Sequence, residues 1–432
     1  MFEIITRLIL DFQQQPIDSS YPRALKIDVL AKKATVCIGV RRSGKSTYLF
    51  QIINKLLASG IPKERILYLN FFDDRLHSLY HNSLEVITDA YYSLYPNNKN
   101  EKVYYFFDEI QMLSNWEPFV NRLMQSEHCE VYITGSSARM LSKEIATQMR
   151  GRSLSWELFP FSFQEYLQTK EISAPAGSSK YKHAATNAFE EYLQCGGFPE
   201  VLSLQARTRA KVHQEYFNAI LFRDIVERHN IPHPRLLTDL AYRLIDNTSS
   251  LYTINSLYGY LKSLDHKAAK SVVSEYLGWL EDAYCLFTVR LFDASLARAQ
   301  ANPKKIYCID HSFVRSISSN ILINSGHLLE NLVFIELRRS NEEIYYYKTK
   351  NTREVDFIYR DENKQLQLIQ VCEQLRDEAT KTRELTALNE AMAEVNLSVG
   401  IIITMHDEQE VKVASGTVKI IPAWRWLTDS RT

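Results

Sequence analysis

No two cysteines in this 432-residue chain form a Cys-x-x-Cys pair, and there is no internal repeat or low-complexity tract. No net charge remains once 51 Lys and Arg are set against 51 Asp and Glu. Each absence removes a class. Cys37, Cys129, Cys195, Cys285, Cys308 and Cys372 are widely scattered, mostly in apolar stretches. They read as reduced core residues rather than zinc ligands or bridges. A neutral balance argues against a protein coated in nucleic acid, although it leaves room for a local basic surface. No uninterrupted apolar run is long enough to cross a bilayer. Met1 to Leu10 is apolar but holds Glu3 and Arg7 and lacks a cleavage pattern. The expectation is a reducing, cytoplasmic location with no membrane partner. Length allows two or three domains, and 25 Tyr with 20 Phe predict aromatic-rich cores.

What is present begins with Gly39-Val40-Arg41-Arg42-Ser43-Gly44-Lys45-Ser46, followed by Thr47. This is a complete phosphate-binding loop. Gly39 and Gly44 let the backbone turn tightly and aim N–H groups at phosphates. Lys45 supplies a point charge for the β- and γ-phosphates, and Ser46 a hydroxyl ligand for a metal. Context supports the motif. Ala34 to Ile38 is a short apolar run, as a buried parallel strand requires. Ser46 to Leu57 has apolar residues at helical spacing, which brings a helix N-terminus to the phosphates. The loop predicts binding of ATP with Mg2+. The plain alternative is a glycine turn between a strand and a helix.

A second signal is Val103-Tyr104-Tyr105-Phe106-Phe107-Asp108-Glu109, an apolar strand ending in two acids. Asp108 is expected to hold the metal and Glu109 to polarise the attacking water. Both fall at a strand's C-terminal end, where open α/β sheets bind ligands. The strand Val131-Tyr132-Ile133-Thr134 leads into Gly135-Ser136-Ser137. Here a hydroxyl can orient water, Ser136 being the first choice and Thr134 the second. A serine N-cap after a strand is the alternative. Arg150 and Arg152 flank Gly151 after a helix expected over Ser142 to Met149. Either arginine can reach a neighbouring copy's γ-phosphate in a homo-oligomer, or simply cap a helix end.

Those segments, with Met149-Arg150-Gly151-Arg152-Ser153 and Glu157-Leu158-Phe159-Pro160-Phe161, resemble the prokaryotic AAA-superfamily ATPases related to archaeal and STAND-type ATPases. The resemblance continues through Cys195-Gly196-Gly197-Phe198-Pro199, Leu221-Phe222-Arg223-Asp224-Ile225 and Leu329-Glu330-Asn331-Leu332, and so covers nearly the whole chain. It implies an α/β fold: a parallel-sheet P-loop ATPase domain over 1–200, a helical winged-helix region over 201–304, and a nuclease-like α/β domain over 305–432. It names no substrate.

In the middle region, helices are expected over 236–245, 253–264 and 268–284, with a β-wing from 285–289 and 305–308. If DNA is a partner, the third helix offers Lys267, Lys270, Ser271 and Ser274, with Val272, Tyr276, Leu277 and Leu280 as its core face. A winged fold that packs domains or binds protein is the alternative.

The last region resembles a PD-(D/E)XK nuclease core. By pattern, Asp356 and Gln370 take metal-facing positions and Glu330 supports them. Cys372 stands where active members have lysine, and Gln370 is neutral where a carboxylate is usual. Lys348 or Lys350 would have to substitute from the neighbouring strand. An inactive nuclease fold is therefore expected. The functional expectation is an ATP-binding protein and ATPase acting as a nucleotide-dependent switch. The alternatives are an ATP-gated DNA-binding protein with a residual or lost nuclease, and a scaffold that binds ATP without turnover.

Overall fold

A computed structural model describes residues 1–17, 20–81, 83–135, 149, 151–173, 178–318 and 324–429. The chain divides into two compact units, Met1–Phe159 and Pro160–Thr432.

Among the described residues the first unit is built on five strands: β1 (Ala34–Ile38), β2 (Ile66–Asn70), β3 (Val103–Asp108), β4 (Cys129–Gly135) and β5 (Ser153–Glu157). All neighbouring pairs are parallel, in the order β2-β3-β4-β1-β5. Parallel strands are covered by helices on both faces, so they are apolar throughout rather than alternating. Accordingly every residue of β1 and β3 is buried. The strands expected from the sequence lie where they were placed, within a residue or two at their ends.

Side chains of β3 and β4 meet in register, and the rings of Phe106 and Tyr132 stack 4.5 Å apart. They share a core with Leu49 and Ile53 of the helix Lys45–Ala58 and with Phe12. Each buried side chain of this size contributes about 1.5–3 kcal/mol. The opening segment, read above only as too polar for a leader, is the helix Phe2–Gln14. It buries Ile5, Ile9 and Phe12, a one-sided stripe at helical spacing.

The strand order positions the chemistry. Because β4 lies between β1 and β3, the C-terminal ends of these three strands sit side by side along one edge.

The second unit begins with helices, among them Ser179–Cys195 and Ala206–Ala219, the latter continuing as a π-helical stretch over Ile220–Glu227. The helices Pro234–Asp246, Ile254–Ser263 and Lys270–Asp282 follow. Between the first two of these lies the short strand β6 (Leu251–Tyr252), and after the third come β7 (Leu286–Leu291) and β8 (Lys304–Cys308). β8 pairs antiparallel with both β6 and β7. The third helix buries Val273, Tyr276, Leu277 and Leu280. Val273 thus replaces Val272, which is half-buried, as the first core position, and Tyr276, Leu277 and Leu280 face the core as expected.

β7 also pairs in parallel with β9 (Ile344–Lys348). The sheet runs on through β10 (Glu354–Arg360), β11 (Leu366–Val371), β12 (Val399–Thr404), β13 (Gln409–Val413) and β14 (Gly416–Pro422). Among the described residues this makes one mixed sheet in the order β13-β14-β12-β11-β10-β9-β7-β8-β6. Helices Ser325–Arg338 and Glu378–Val395 pack against it.

The Cys195-Gly-Gly-Phe-Pro segment is a packing joint. A Cβ on Gly196 would lie 2.3 Å from Asp310 Oδ1, and one on Gly197 2.3 Å from the carbonyl oxygen of Phe161. The Gly197 N–H donates to Asp310 Oδ2 at 2.8 Å, and Phe198 stacks on Phe313.

Candidate functional site

The phosphate-binding loop leaves β1 and enters the helix Lys45–Ala58. Gly39 has φ 149°, and a Cβ there would lie 2.3 Å from the carbonyl oxygen of Leu158. The loop therefore starts pressed against the chain that follows β5, where only glycine fits. Gly44, at φ 95°, caps the helix without a side-chain bond, and the first turn carries no acid. That leaves the helix N-terminus ready for an anion, both by its outward N–H groups and by its dipole.

Lys45 is buried, and its ammonium donates to the carbonyls of Gly39 and Val40 at 3.1 Å each. Val40 and Ser43 are buried, Arg41 is half-buried, and Arg42 (φ 69°) and Thr47 are exposed. The Ser43 hydroxyl has no partner among the described residues.

A strap of chain ahead of β1 holds the loop. The Arg23 guanidinium donates to Ser43 O at 2.9 Å and to Phe159 O at 2.6 Å. The Tyr48 hydroxyl donates to Leu25 O at 2.7 Å, and Leu25 and Ile27 pack on Cys37, Tyr48 and Leu158. Sequence reading missed Arg23, because its partners are 20 and 136 residues away and the strap carries no periodic pattern.

Asp108 ends β3 and is fully buried. Its Oδ2 accepts from the Tyr68 hydroxyl of β2 at 2.9 Å, and its Oδ1 accepts from the Thr134 hydroxyl of β4. The Ser46 hydroxyl, where the phosphate loop enters its helix, also favours the charged form of this carboxyl. Burial raises the Asp108 pKa above the ordinary carboxylate range. The Ser46, Thr134 and Tyr68 hydroxyls pull the other way, and the neighbouring Glu109 charge adds to the rise. Donors such as the Tyr68 and Thr134 hydroxyls are what makes a buried acid tolerable.

Glu109 adopts a left-handed conformation (φ 54°, ψ 44°), which ends the strand abruptly and starts the short turn Ile110–Met112. Its N–H donates to Thr134 Oγ1 at 3.0 Å, and its carboxylate accepts from the Gln111 amide. Thr134, the second choice for the water-orienting position, is thus bonded at once to Asp108 and to the backbone of Glu109. Ser136, Arg150 and the helix expected over 142–149, apart from Met149, lie outside the described residues. Arg152 is exposed; its N–H donates to Met149 O, and its carbonyl accepts from Ala34 N, both at 2.8 Å.

The second cluster expected from the sequence lies in the other unit. Glu330 sits on the helix Ser325–Arg338 and Asp356 on β10, at a register break against β9 between Val355 and Ile358. Such a bulge re-aims side chains. Asp356 Oδ2 accepts from Val371 N at 2.8 Å. Gln370 uses both ends of its amide, accepting from Asp356 N at 3.2 Å and donating to Glu384 at 2.8 Å. Cys372 is half-buried, its thiol pushed up to about 11 chiefly by burial, and it donates to Gln374 O. Among the described residues, neither Lys348 nor Lys350, weighed above as substitutes for the lysine, forms an ion pair with these acids, and the Lys348 ammonium lies over the Tyr346 ring. The ammonium at the acids belongs instead to Lys305, on β8. The signal for it was present: in Lys304-Lys305-Ile306-Tyr307-Cys308 a charge shares a strand face with Tyr307 inside an otherwise apolar run.

A parallel sheet whose central strand ends carry a glycine-rich loop, a lysine, a hydroxyl and a buried acid defines a P-loop α/β protein of the AAA type. Residues 31–167 match the family described as an AAA domain. Residues 186–321 and 325–426 match two families described as domains of unknown function, DUF8612 and DUF4143.

The chain belongs to the family of the Methanocaldococcus jannaschii protein called uncharacterized protein MJ1544, with which it is 36% identical over 416 residues, 94% of this chain and 90% of the relative. A Haemophilus influenzae relative is 30% identical over 325 residues, 75% of this chain and 79% of its own length. Among solved structures, a Walker-type ATPase of Pyrococcus abyssi aligns with TM-score 0.40 at 14% identity, covering 66% of this chain and 90% of that one.

Proposed function

We propose that the Met1–Phe159 unit binds ATP with Mg2+ and hydrolyses it, and that the bound nucleotide acts as a switch for the rest of the chain. The observation that carries this is a buried carboxylate, Asp108, at the end of β3, bonded by the Thr134 hydroxyl and held toward its charged form by the Ser46 hydroxyl of the phosphate loop. A hydroxyl and a carboxylate are the hard oxygen donors that Mg2+ takes, so the residues present fit the ion. Ser46 and Asp108 would hold it. When bound it would neutralise charge on the phosphate oxygens.

The residues of the chain have separate tasks in this reading. Lys45 and the uncapped helix amides bind the phosphates. Glu109 takes the proton of the attacking water, and its left-handed backbone, tied to Thr134, keeps the carboxylate at the strand end. Gln111 orients that carboxylate. Arg152, and Arg150 with it, are the candidates for a cation supplied to a neighbouring copy.

Two variants test the assignment. Lys45→Ala should lose ATP binding in an equilibrium assay. Glu109→Gln should still bind ATP but hydrolyse it about 10²–10⁴-fold more slowly. Turnover by Glu109→Gln at the parent rate would remove Glu109 from the mechanism.

A second reading, that the nucleotide gates a DNA contact, is favoured by one observation. Lys267, Lys270, Ser271 and Ser274 are all exposed on or beside a helix whose other face is core. The three helices with β6, β7 and β8 have the element order of a winged helix. ATP hydrolysis with and without duplex DNA, combined with Lys267→Ala/Lys270→Ala, separates the two. Stimulation lost in the double variant supports gating, and no stimulation refutes it.

A further inference from the structure

The acids of the Pro160–Thr432 unit surround a single positive group. The Lys305 ammonium lies 2.9 Å from Glu330 Oε1, 2.9 Å from Glu354 Oε1 and 2.7 Å from Asp356 Oδ1. These oxygens come from a helix, from the first residue of β10 and from the bulge in β10. The ammonium donates hydrogen bonds to Glu330 and Asp356 and is ion-paired with Glu354. The side chain of Lys305 is only 3% exposed. We propose that Lys305 is the resident cation of this acidic centre and closes it to divalent metal ions.

Three features of the surroundings support closure. First, further acceptor sites of the acids are taken by the protein: Tyr307 donates to Glu330 Oε1 at 2.7 Å, and Val371 N–H to Asp356 Oδ2 at 2.8 Å. Second, Gln370 faces Asp356 with an amide rather than a carboxylate, so the centre lacks the extra negative charge that would favour a dication over a monocation. Third, a divalent ion needs oxygens at about 2.0–2.6 Å and would share its space with a fixed positive charge. Among the described residues, no group of three His, Cys, Asp or Glu side chains is arranged to hold a metal ion.

Electrostatics agree with the geometry. Burial alone would lower the Lys305 pKa, but Asp356, Glu330 and Glu354 together hold it well above the ordinary lysine value, so the group stays charged. Burial and the neighbouring Asp356 push Glu330 upward, and Lys305 and Tyr307 pull it back down. An ion pair of this kind breaks badly, because removing one partner strands the others. The centre should therefore need a cation of some kind.

The test uses the full chain without nucleotide and follows free Mn2+ by electron paramagnetic resonance. Wild type and Asp356→Asn should bind Mn2+ alike. Lys305→Ala opens the space and should gain an Mn2+ site at least about tenfold tighter than any in wild type. Adding Asp356→Asn should abolish that new site. If Lys305→Ala is unfolded in EDTA, Mn2+ should restore its circular dichroism and its ATP binding.

A wild-type Mn2+ site lost in Asp356→Asn would overturn the proposal. So would plasmid cutting by wild type in Mn2+ that Asp356→Asn abolishes. A folded Lys305→Ala chain that gains no site, or an unfolded one that Mn2+ does not rescue, would overturn it equally.

Discussion

Replacing Gly39 by alanine perturbs the nucleotide site through packing alone. The added Cβ would stand 2.3 Å from the Leu158 carbonyl oxygen and 3.2 Å from its carbon. Reaching an ordinary separation requires the two segments to part by roughly 1 Å. They are tied by the Leu158 N–H bond to Ile38 O at 2.8 Å, which would stretch as they part. Overpacking of this sort costs about 1–3 kcal/mol, holding an L residue at φ 149° about 1–3 kcal/mol, and the weakened bond about 1 kcal/mol. The sum is roughly 3–7 kcal/mol, which for a unit of this size lowers Tm by about 6–28 °C.

Gly60 supplies the control, since it has φ 90° and nothing within 4 Å of its added Cβ. Gly60→Ala carries the backbone cost without the clash. Differential scanning calorimetry of both variants, with ATP binding measured below the transition, separates the two contributions. Gly39→Ala should be clearly the less stable and should bind ATP more weakly. If it melts no lower than Gly60→Ala, the contact with Leu158 does not constrain the loop.

Tyr68→Phe removes one donor from Asp108 and should cost about 1.5–3 kcal/mol; a denaturation midpoint unchanged from wild type would show the bond to be idle. His213 tests pH dependence. It is buried between Ser312 and Ser316, and burial lowers its pKa from 6.5 to about 4, Asp310 opposing the shift and Arg209 and His311 adding to it. The unfolded chain takes up that proton first, so the contribution is full above pH 6.5 and is lost as pH falls toward 4. The slope reaches up to about 1.4 kcal/mol per pH unit. The stability difference between wild type and His213→Asn should stay constant above pH 6.5 and shift against wild type as pH falls from 6.5 toward 4, whereas a difference unchanged across pH 6.5 to 4 would refute the burial of a neutral imidazole.

The parts of the molecule legible in the sequence were those set by neighbours along the chain. The loop from Gly39 to Ser46, the apolar strands and the acid at the end of β3 are local patterns, and strand ends fell within a residue or two. Parallel strands made this easy, because a strand buried on both faces is a plain apolar run. What stayed hidden was set by neighbours in space. Tyr68 reaches an acid 40 residues on, and Lys305 meets partners 25 and 51 residues on. Pattern reasoning sought the missing lysine on the strands next to Asp356, where family spacing would put it. The fold delivers one from β8, which no spacing rule connects to β10. Thr134 was in view as a strand-end hydroxyl, but its bonds to Asp108 and to the Glu109 backbone depend on β4 lying beside β3, which no local pattern gives.

The parallel pairing of β7 with β9 has a practical corollary for anyone dissecting this chain. Expressing the helical segment alone would bare the flank of β7 as a raw hydrogen-bonding seam, which invites aggregation. Expressing the later strands alone would deprive Glu330 and Asp356 of the counterion carried on β8. Each fragment would misbehave for its own reason, so insolubility of either piece would reflect the cut and not the activity of the intact molecule.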